Sequence, residues 1–295
     1  MVYVPIAAGL VAAFCWGTAD YLSRGQSQKL GYYRTVLYSH VVTLAIVLAL
    51  VPLIDPVLVL ATAPVLALAA AGLLNLGAFI LLYRAFHQGV VSIVAPIAYT
   101  YPAITSVLSV LILGTMISPG EVLAIGGVVV GVVLLSTRFS ELKSLVAGKG
   151  SVNLTAGVGS ALGSSVIFGV VYVVIGYAAP LVSLAIPVIM LRVVAASAGF
   201  VLAPVLKQDA KPSRIAFSLT IIVMGFLEAA GFLAFTYGIL SASGALPVVA
   251  AIGGMGGAVA ASYGLVFLKE RLEPNQMVGV ILALVGVFTL LYLGG

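Results

Sequence analysis

The chain has 295 residues, of which 63% are hydrophobic and only 7% charged, with 13 Lys and Arg against 8 Asp and Glu. A soluble domain carries about 25% charged residues, so this pool cannot cover a water-facing surface. The net charge of +5 does not point to nucleic acid, because the basic residues are scattered over short loops and form no patch.

In chain order, ten apolar segments are expected at 4–23, 33–54, 64–87, 91–114, 120–137, 154–177, 182–206, 214–240, 243–267 and 275–293. A helix needs about 20 apolar residues to cross about 30 Å of hydrocarbon. Barrel strands alternate over about ten residues, whereas these runs are apolar throughout. The expected fold class is all-α integral membrane, with ten transmembrane helices. No basic residue precedes the first segment, as a cleavable signal would require, so it is read as a retained helix. Twelve of the thirteen basic residues, from Arg24 to Arg271, lie on one side, in alternate connections or at the segment ends that border them, and the thirteenth, Arg192, lies inside the seventh segment. Short loops rich in Lys and Arg stay in the cytoplasm. That rule puts loops 24–32, 138–153, 207–213 and 268–274 inside a plasma membrane, with both termini outside.

The segments form two copies of one pattern. Trp16-Gly17 recurs as Phe168-Gly169, His40 as Arg192 and Pro52 as Pro204, each 152 positions later. Gly77 and Tyr83 match Gly231 and Tyr237 at an offset of 154, and Pro119 and Gly131 match Pro274 and Gly286 at 155. Each copy holds five helices, an odd number, so the second copy enters the membrane upside-down relative to the first: an inverted repeat. The expected division is a first five-helix repeat at 1–137, a polar cytoplasmic linker at 138–153, and a second five-helix repeat at 154–295.

Three stretches carry a likeness. They are Trp16-Gly17-Thr18-Ala19-Asp20-Tyr21, Leu82-Tyr83-Arg84-Ala85, and Phe267-Leu268-Lys269-Glu270-Arg271-Leu272. In order and spacing they resemble the drug/metabolite transporter superfamily, specifically its EamA-like ten-helix transporters. The first copy departs from that pattern, since Leu113-Gly114-Thr115-Met116-Ile117-Ser118-Pro119 lacks the acid of the corresponding turn. The resemblance implies two inverted five-helix repeats around a central cavity, and export or uptake of small organic solutes.

Charged groups inside a membrane cost at least about 2.5–3.5 kcal/mol each and mark function by default. His40 in the second segment, Arg192 in the seventh and Glu228 in the eighth stand out, and the repeat roughly pairs Asn75 with Glu228. The four are expected to face one central cavity, as substrate-binding groups or as a buried Arg192–Glu228 pair that joins two helices. His40 and Glu228 are the candidates for proton coupling. Asp20 and Arg24, four apart, share a helical face and read as an end-of-helix pair or a cytoplasmic gate. The fourth segment, with Tyr99-Thr100-Tyr101-Pro102, and the ninth, with Gly253-Gly254-Met255-Gly256-Gly257, are expected to line the path. Gly254 and Gly257 allow close packing or a local break, while Tyr99, Tyr101, Trp16 and Phe168 supply aromatic walls. Small residues at Gly127, Gly131, Gly279, Ala283 and Gly286 read as packing faces, within the molecule or in a homodimer.

No His-Glu-x-x-His zinc motif, Gly-x-Ser-x-Gly elbow or phosphate loop occurs, and Cys15 is the lone cysteine. Neither an enzyme nor a resident metal or cofactor is expected. The reading is a secondary-active transporter of a small amphipathic metabolite by alternating access. A non-transporting polytopic membrane protein and a channel-like facilitator are the competing readings.

Overall fold

A computed structural model describes residues 3–88, 97–137, 139–140, 143, 147, 157–212, 214–268 and 273–293. All its regular elements are helical: α1 Tyr3–Leu30, α2 Tyr32–Ile54, α3 Thr62–Gln88, α4 Tyr101–Leu113, α5 Pro119–Ser136, α6 Val158–Ala178, α7 Ile186–Leu202, α8 Leu219–Leu240, α9a Leu246–Gly253, α9b Gly256–Leu268 and α10 Pro274–Leu293. The linker is largely outside the described residues, as are Pro96 and the Lys269–Leu272 part of the third motif. Five helices, α1, α2, α3, α6 with its short extension to Leu181, and α8, are long and apolar enough to cross a bilayer, and the others are shorter apolar helices. Large apolar side chains point outward in number, among them Leu53, Leu111, Val201, Leu219 and Phe288, all more than 60% exposed. A surface of that kind fits lipid and not water.

The first helix runs seven residues beyond the expected 4–23. No proline occurs in that stretch, and the helix passes through Gly25 to end before Gly31, whose φ of 86° is accessible to glycine without strain. The polar stretch after Asp20 stays helical because protein covers it: Ser23, Gln26 and Ser27 are buried, and Gln26 Nε2 donates to Ser218 Oγ at 2.8 Å. The fourth and ninth segments differ from uninterrupted helices. Turns at 99–100 and 254–255 divide them, 155 positions apart.

Packing between the halves obeys a pseudo-two-fold. Helix α1 lies on α8 and α9, as α6 lies on α3 and α4; α3 meets α7, as α8 meets α2; α2 and α5 each meet their own counterparts, α7 and α10. Glycine contacts repeat the symmetry in detail. A Cβ on Gly17 would meet Val259 and one on Gly169 would meet Ile104, while Gly72 faces Val194 and Gly225 faces Val42. At the α5–α10 contact, Gly131 abuts Ala283 and Gly279, while Gly286 abuts Ala124 and Val128. As one chain advances the other retreats, so these equivalent helices are antiparallel and the repeats are inverted. The small-residue faces of α5 and α10 are thus used inside the molecule.

Polar ties close the bundle ends. Ser118 and Glu121 form a capping box at the start of α5, in the copy that lacks the acidic turn. Asn275 Nδ2 donates to Leu134 O and Thr137 O, and Gln276 Nε2 to Leu135 O, at 2.8–3.0 Å; together they satisfy the orphan carbonyls at the end of α5. Asp55 accepts from the Ala185 backbone N–H at 2.7 Å, and Arg34 pairs with Asp209.

Candidate functional site

Where the halves meet, a partly open pocket with about 390 Å³ of empty volume is lined by eleven residues: Trp16 and Asp20 of α1, Phe79 and Leu82 of α3, Ala98, Tyr99 and Tyr101 around the α4 turn, Phe168 and Tyr172 of α6, and Glu228 and Phe232 of α8. Helical geometry explains the selection. Residues four apart stack on one face, and Trp16/Asp20, Phe168/Tyr172 and Glu228/Phe232 are three such pairs. Seven lining side chains are aromatic, and they hold one another in place. Tyr172 stacks on Phe168 at 5.9 Å between centroids, Tyr101 lies 4.9 Å from Tyr172, and Trp16 lies 5.1 Å from Phe232 in an edge-on contact.

Behind one wall is a charged network. Arg192 is wholly buried; its Nη2 donates to Glu228 Oε2 at 2.8 Å and its Nη1 to Asn75 Oδ1 at 2.8 Å. Nη1 also lies 3.0 Å from His40 Nε2. A guanidinium only donates, so His40 Nε2 accepts and the neutral ring carries its proton on Nδ1. The guanidinium carbon sits 5.0 Å from the Phe79 centroid and 4.5 Å from that of Phe232, a sandwich that favours a cation. The four residues expected together do meet, two from each half. Of these, Glu228 reaches the pocket lining, while His40, Asn75 and Arg192 stand behind it.

Asp20 requires a correction. It was expected near a helix end beside Arg24, but α1 continues ten residues further and places Asp20 deep in the bundle. Its carboxylate accepts a hydrogen bond from the Tyr99 hydroxyl, and among the described ion pairs none joins it to Arg24. Tyr99, Tyr101 and Trp16 line the pocket as expected, and so does Phe168. The glycines serve at one remove: Gly257 backs the Tyr99 ring, where a Cβ would come within 2.6 Å, and Gly254 lies against Pro102. They supply both the break and the close packing. Gly17 permits the α1–α9b crossing, since a Cβ there would lie 2.3 Å from Gly256 O.

Sequence reasoning passed over Phe79, Phe232 and the specific place of Tyr172. The repeat held the signal for them. Phe79 and Phe232 are 153 apart, one turn beyond Asn75 and Glu228 at the same offset, and Tyr172 follows Asp20 by 152. Cys15 is buried with a free thiol. Among the described residues no group of three or more His, Cys, Asp or Glu is placed to hold a metal ion.

Fold and site together define a polytopic integral membrane protein: two inverted five-helix repeats that enclose an aromatic, acid-bearing pocket beside the interruption of the fourth segment. The chain belongs to the EamA-like transporter family, whose pattern it matches twice, over residues 4–137 and 155–292. A solved crystal structure, described only as that of a protein, aligns with 98% of this chain and 96% of its own at a TM-score of 0.75 and 14% identity. At that identity the likeness concerns the fold. No curated protein matches the sequence.

Proposed function

We propose that the protein is a secondary transporter that carries a small organic solute through this pocket by alternating access, with residues 1–137 and 154–295 as the two moving repeats. The observation that carries the reading is the placement of the pocket where the two repeats meet, beside the turn at 99–100 that interrupts the fourth segment and has its counterpart at 254–255. Transporters built of inverted repeats bind at such discontinuities, where broken backbone is tolerated because it lines a cavity. On one side the path is closed by α1 against α9b, through Gly17 and Gly256 and a 2.7 Å hydrogen bond between Thr18 and Tyr263. On the other it is closed by α6 against α4, through Gly169 and Ile104. Parting one contact while the other stays shut exposes the pocket to one face at a time.

Coupling runs through the pocket carboxylates. Glu228 is matched by Arg192 and is held as part of the scaffold. Among the described residues Asp20 has a phenol and no cation as its partner, so it exchanges a proton for solute. His40, as an acceptor from Arg192, stays neutral and supports the network. The distribution of basic residues supports both termini outside the plasma membrane. Counterflow in liposomes tests the reading. Solute on the trans side should accelerate uptake of labelled solute, and an imposed pH gradient should drive accumulation that Asp20→Asn abolishes. Uptake indifferent to trans solute would mean a pore. A terminal tag resistant to protease in intact cells would reverse the orientation.

A further inference from the structure

We infer that the solute carries a single positive charge: an organic ammonium that rests its cationic head on Asp20 and its apolar body among Trp16, Tyr101 and Tyr172. This rests on the transporter reading and names its substrate class. The first argument is the inventory of charge. Among the described residues the pocket lining contains two carboxylates, Asp20 and Glu228, and no Lys, Arg or His. Glu228 is already neutralised by Arg192 at 2.8 Å, whereas Asp20 accepts from the uncharged Tyr99 hydroxyl. One negative charge is therefore left for a ligand to match, and burying a charge unmatched is costly.

The second argument excludes the other signs. An anion or a zwitterion needs a base facing the pocket. Arg192 does not line the pocket; it stands behind Phe79 and Phe232, which flank its guanidinium carbon, with Nη1 turned to Asn75 and His40 and Nη2 to Glu228. His40 Nε2 is spent on the same arginine. A carboxylate entering here would meet two acids and no donor of positive charge.

The third argument is the wall. Aromatic faces attract cations, and this bundle already holds a cation between two rings, at Arg192. Tyr101 and Tyr172, 4.9 Å apart, and Trp16, 5.6 Å from Tyr172, present a like surface beside Asp20. The counterpart of Asp20 in the second repeat is Tyr172, so the acid is not duplicated and the pocket takes one charge.

Trp16 is the only tryptophan in the chain and lines the pocket, so its fluorescence reads occupancy directly. Four probes of nearly equal size settle the charge: 2-phenylethylamine, benzyltrimethylammonium, 3-phenylpropan-1-ol and 3-phenylpropionate, titrated into the full-length purified protein. Both cations should perturb Trp16 emission at concentrations at least tenfold below the alcohol, and the carboxylate should have no effect. Asp20→Asn should bring the cations level with the alcohol, and Asp20→Glu should keep the preference. The wild-type series decides the matter even if Asp20→Asn fails to fold. Equal affinity for amine and alcohol, or tighter binding of the carboxylate, overturns the inference. Liposome counterflow with labelled 2-phenylethylamine separates the two readings. Binding of the cations without counterflow sinks transport and leaves the cation site standing, whereas counterflow of 3-phenylpropionate alone sinks the cation site and leaves transport.

Discussion

Replacing Arg192 by methionine isolates what holds the buried network together. Both partners of the Arg192–Glu228 pair are at most 2% exposed, with Nη2 2.8 Å from Oε2, so solvent screens them little. With charge centres about 4 Å apart and an effective dielectric of about 20, their attraction is worth roughly 4 kcal/mol. Methionine fills the slot between Phe79 and Phe232 and makes favourable sulfur–ring contacts, so little packing is lost. What disappears is the partner of a buried carboxylate, together with the donor to Asn75 and His40. Removing one member of a buried pair costs about 3–5 kcal/mol, and that loss is the expected result. The double variant Arg192→Met with Glu228→Leu removes both charges and should regain at least about 2 kcal/mol over the sum of the single losses, as coupled neighbours do. Denaturant unfolding of purified protein, followed by circular dichroism, measures all four corners of the cycle. An Arg192→Met variant within about 1 kcal/mol of the parent, or strictly additive losses, would refute the view that this pair ties α7 to α8.

Other substitutions probe the pocket walls and helix ends. Gly257→Ala puts a methyl 2.6 Å from the Tyr99 ring; it should displace Tyr99 from Asp20 and weaken solute binding about tenfold, a loss of about 1.4 kcal/mol, read by Trp16 fluorescence. Gly17→Ala forces a Cβ to within 2.3 Å of the Gly256 carbonyl oxygen, which cannot rotate away, so it should cost about 1–3 kcal/mol and lower the thermal midpoint. Gly169→Ala, its symmetry mate, meets the Ile104 side chain instead, and should lower the midpoint less in the same melt. Ser118→Ala deletes the capping box of α5 and should cost about 1 kcal/mol in the unfolding assay, with transport unchanged.

Much of the architecture was legible because lipid imposes one rule, that every spanning backbone satisfy itself as helix, and the apolar runs obey it. The duplication was legible for a related reason: the glycines that let helices cross must recur wherever the crossing recurs, as Gly17 and Gly169 do. The site was legible only in part. The meeting of His40, Asn75, Arg192 and Glu228 followed from their shared offset and from the expense of burying charge. Which of them faces the pocket did not, because a helical position names a face but not what covers it; Phe79 and Phe232 take the place beside Arg192. Asp20 was misplaced for a different reason. Ser23, Gln26 and Ser27 read as water-facing from their chemistry, yet the second repeat covers them, so the helix and its environment extend past where polarity alone would end them.

Comparing the two copies residue by residue separates the demands of motion from those of recognition. Contacts that let one helix slide on another are kept in pairs: Gly17 with Gly169, Gly72 with Gly225, Gly131 with Gly286. Several positions at the pocket and in the network behind it have diverged instead, Asp20 against Tyr172, Asn75 against Glu228, His40 against Arg192 and Tyr99 against Gly254, while Phe79 and Phe232 stay alike. A physical reason exists for the split. On the proposed reading, alternation requires two backbone states of nearly equal energy, a demand that inverted-repeat packing is suited to meet. Binding one solute requires only one set of chemical groups, and duplicating them would defeat it. Two copies of Asp20 facing each other would place like charges in one pocket, and two copies of Arg192 would leave two guanidinium groups to share the one carboxylate of Glu228. The helix-crossing glycines therefore recur while the charged groups do not, so that on the proposed reading one half presents the ligand acid and the other carries the ion pair.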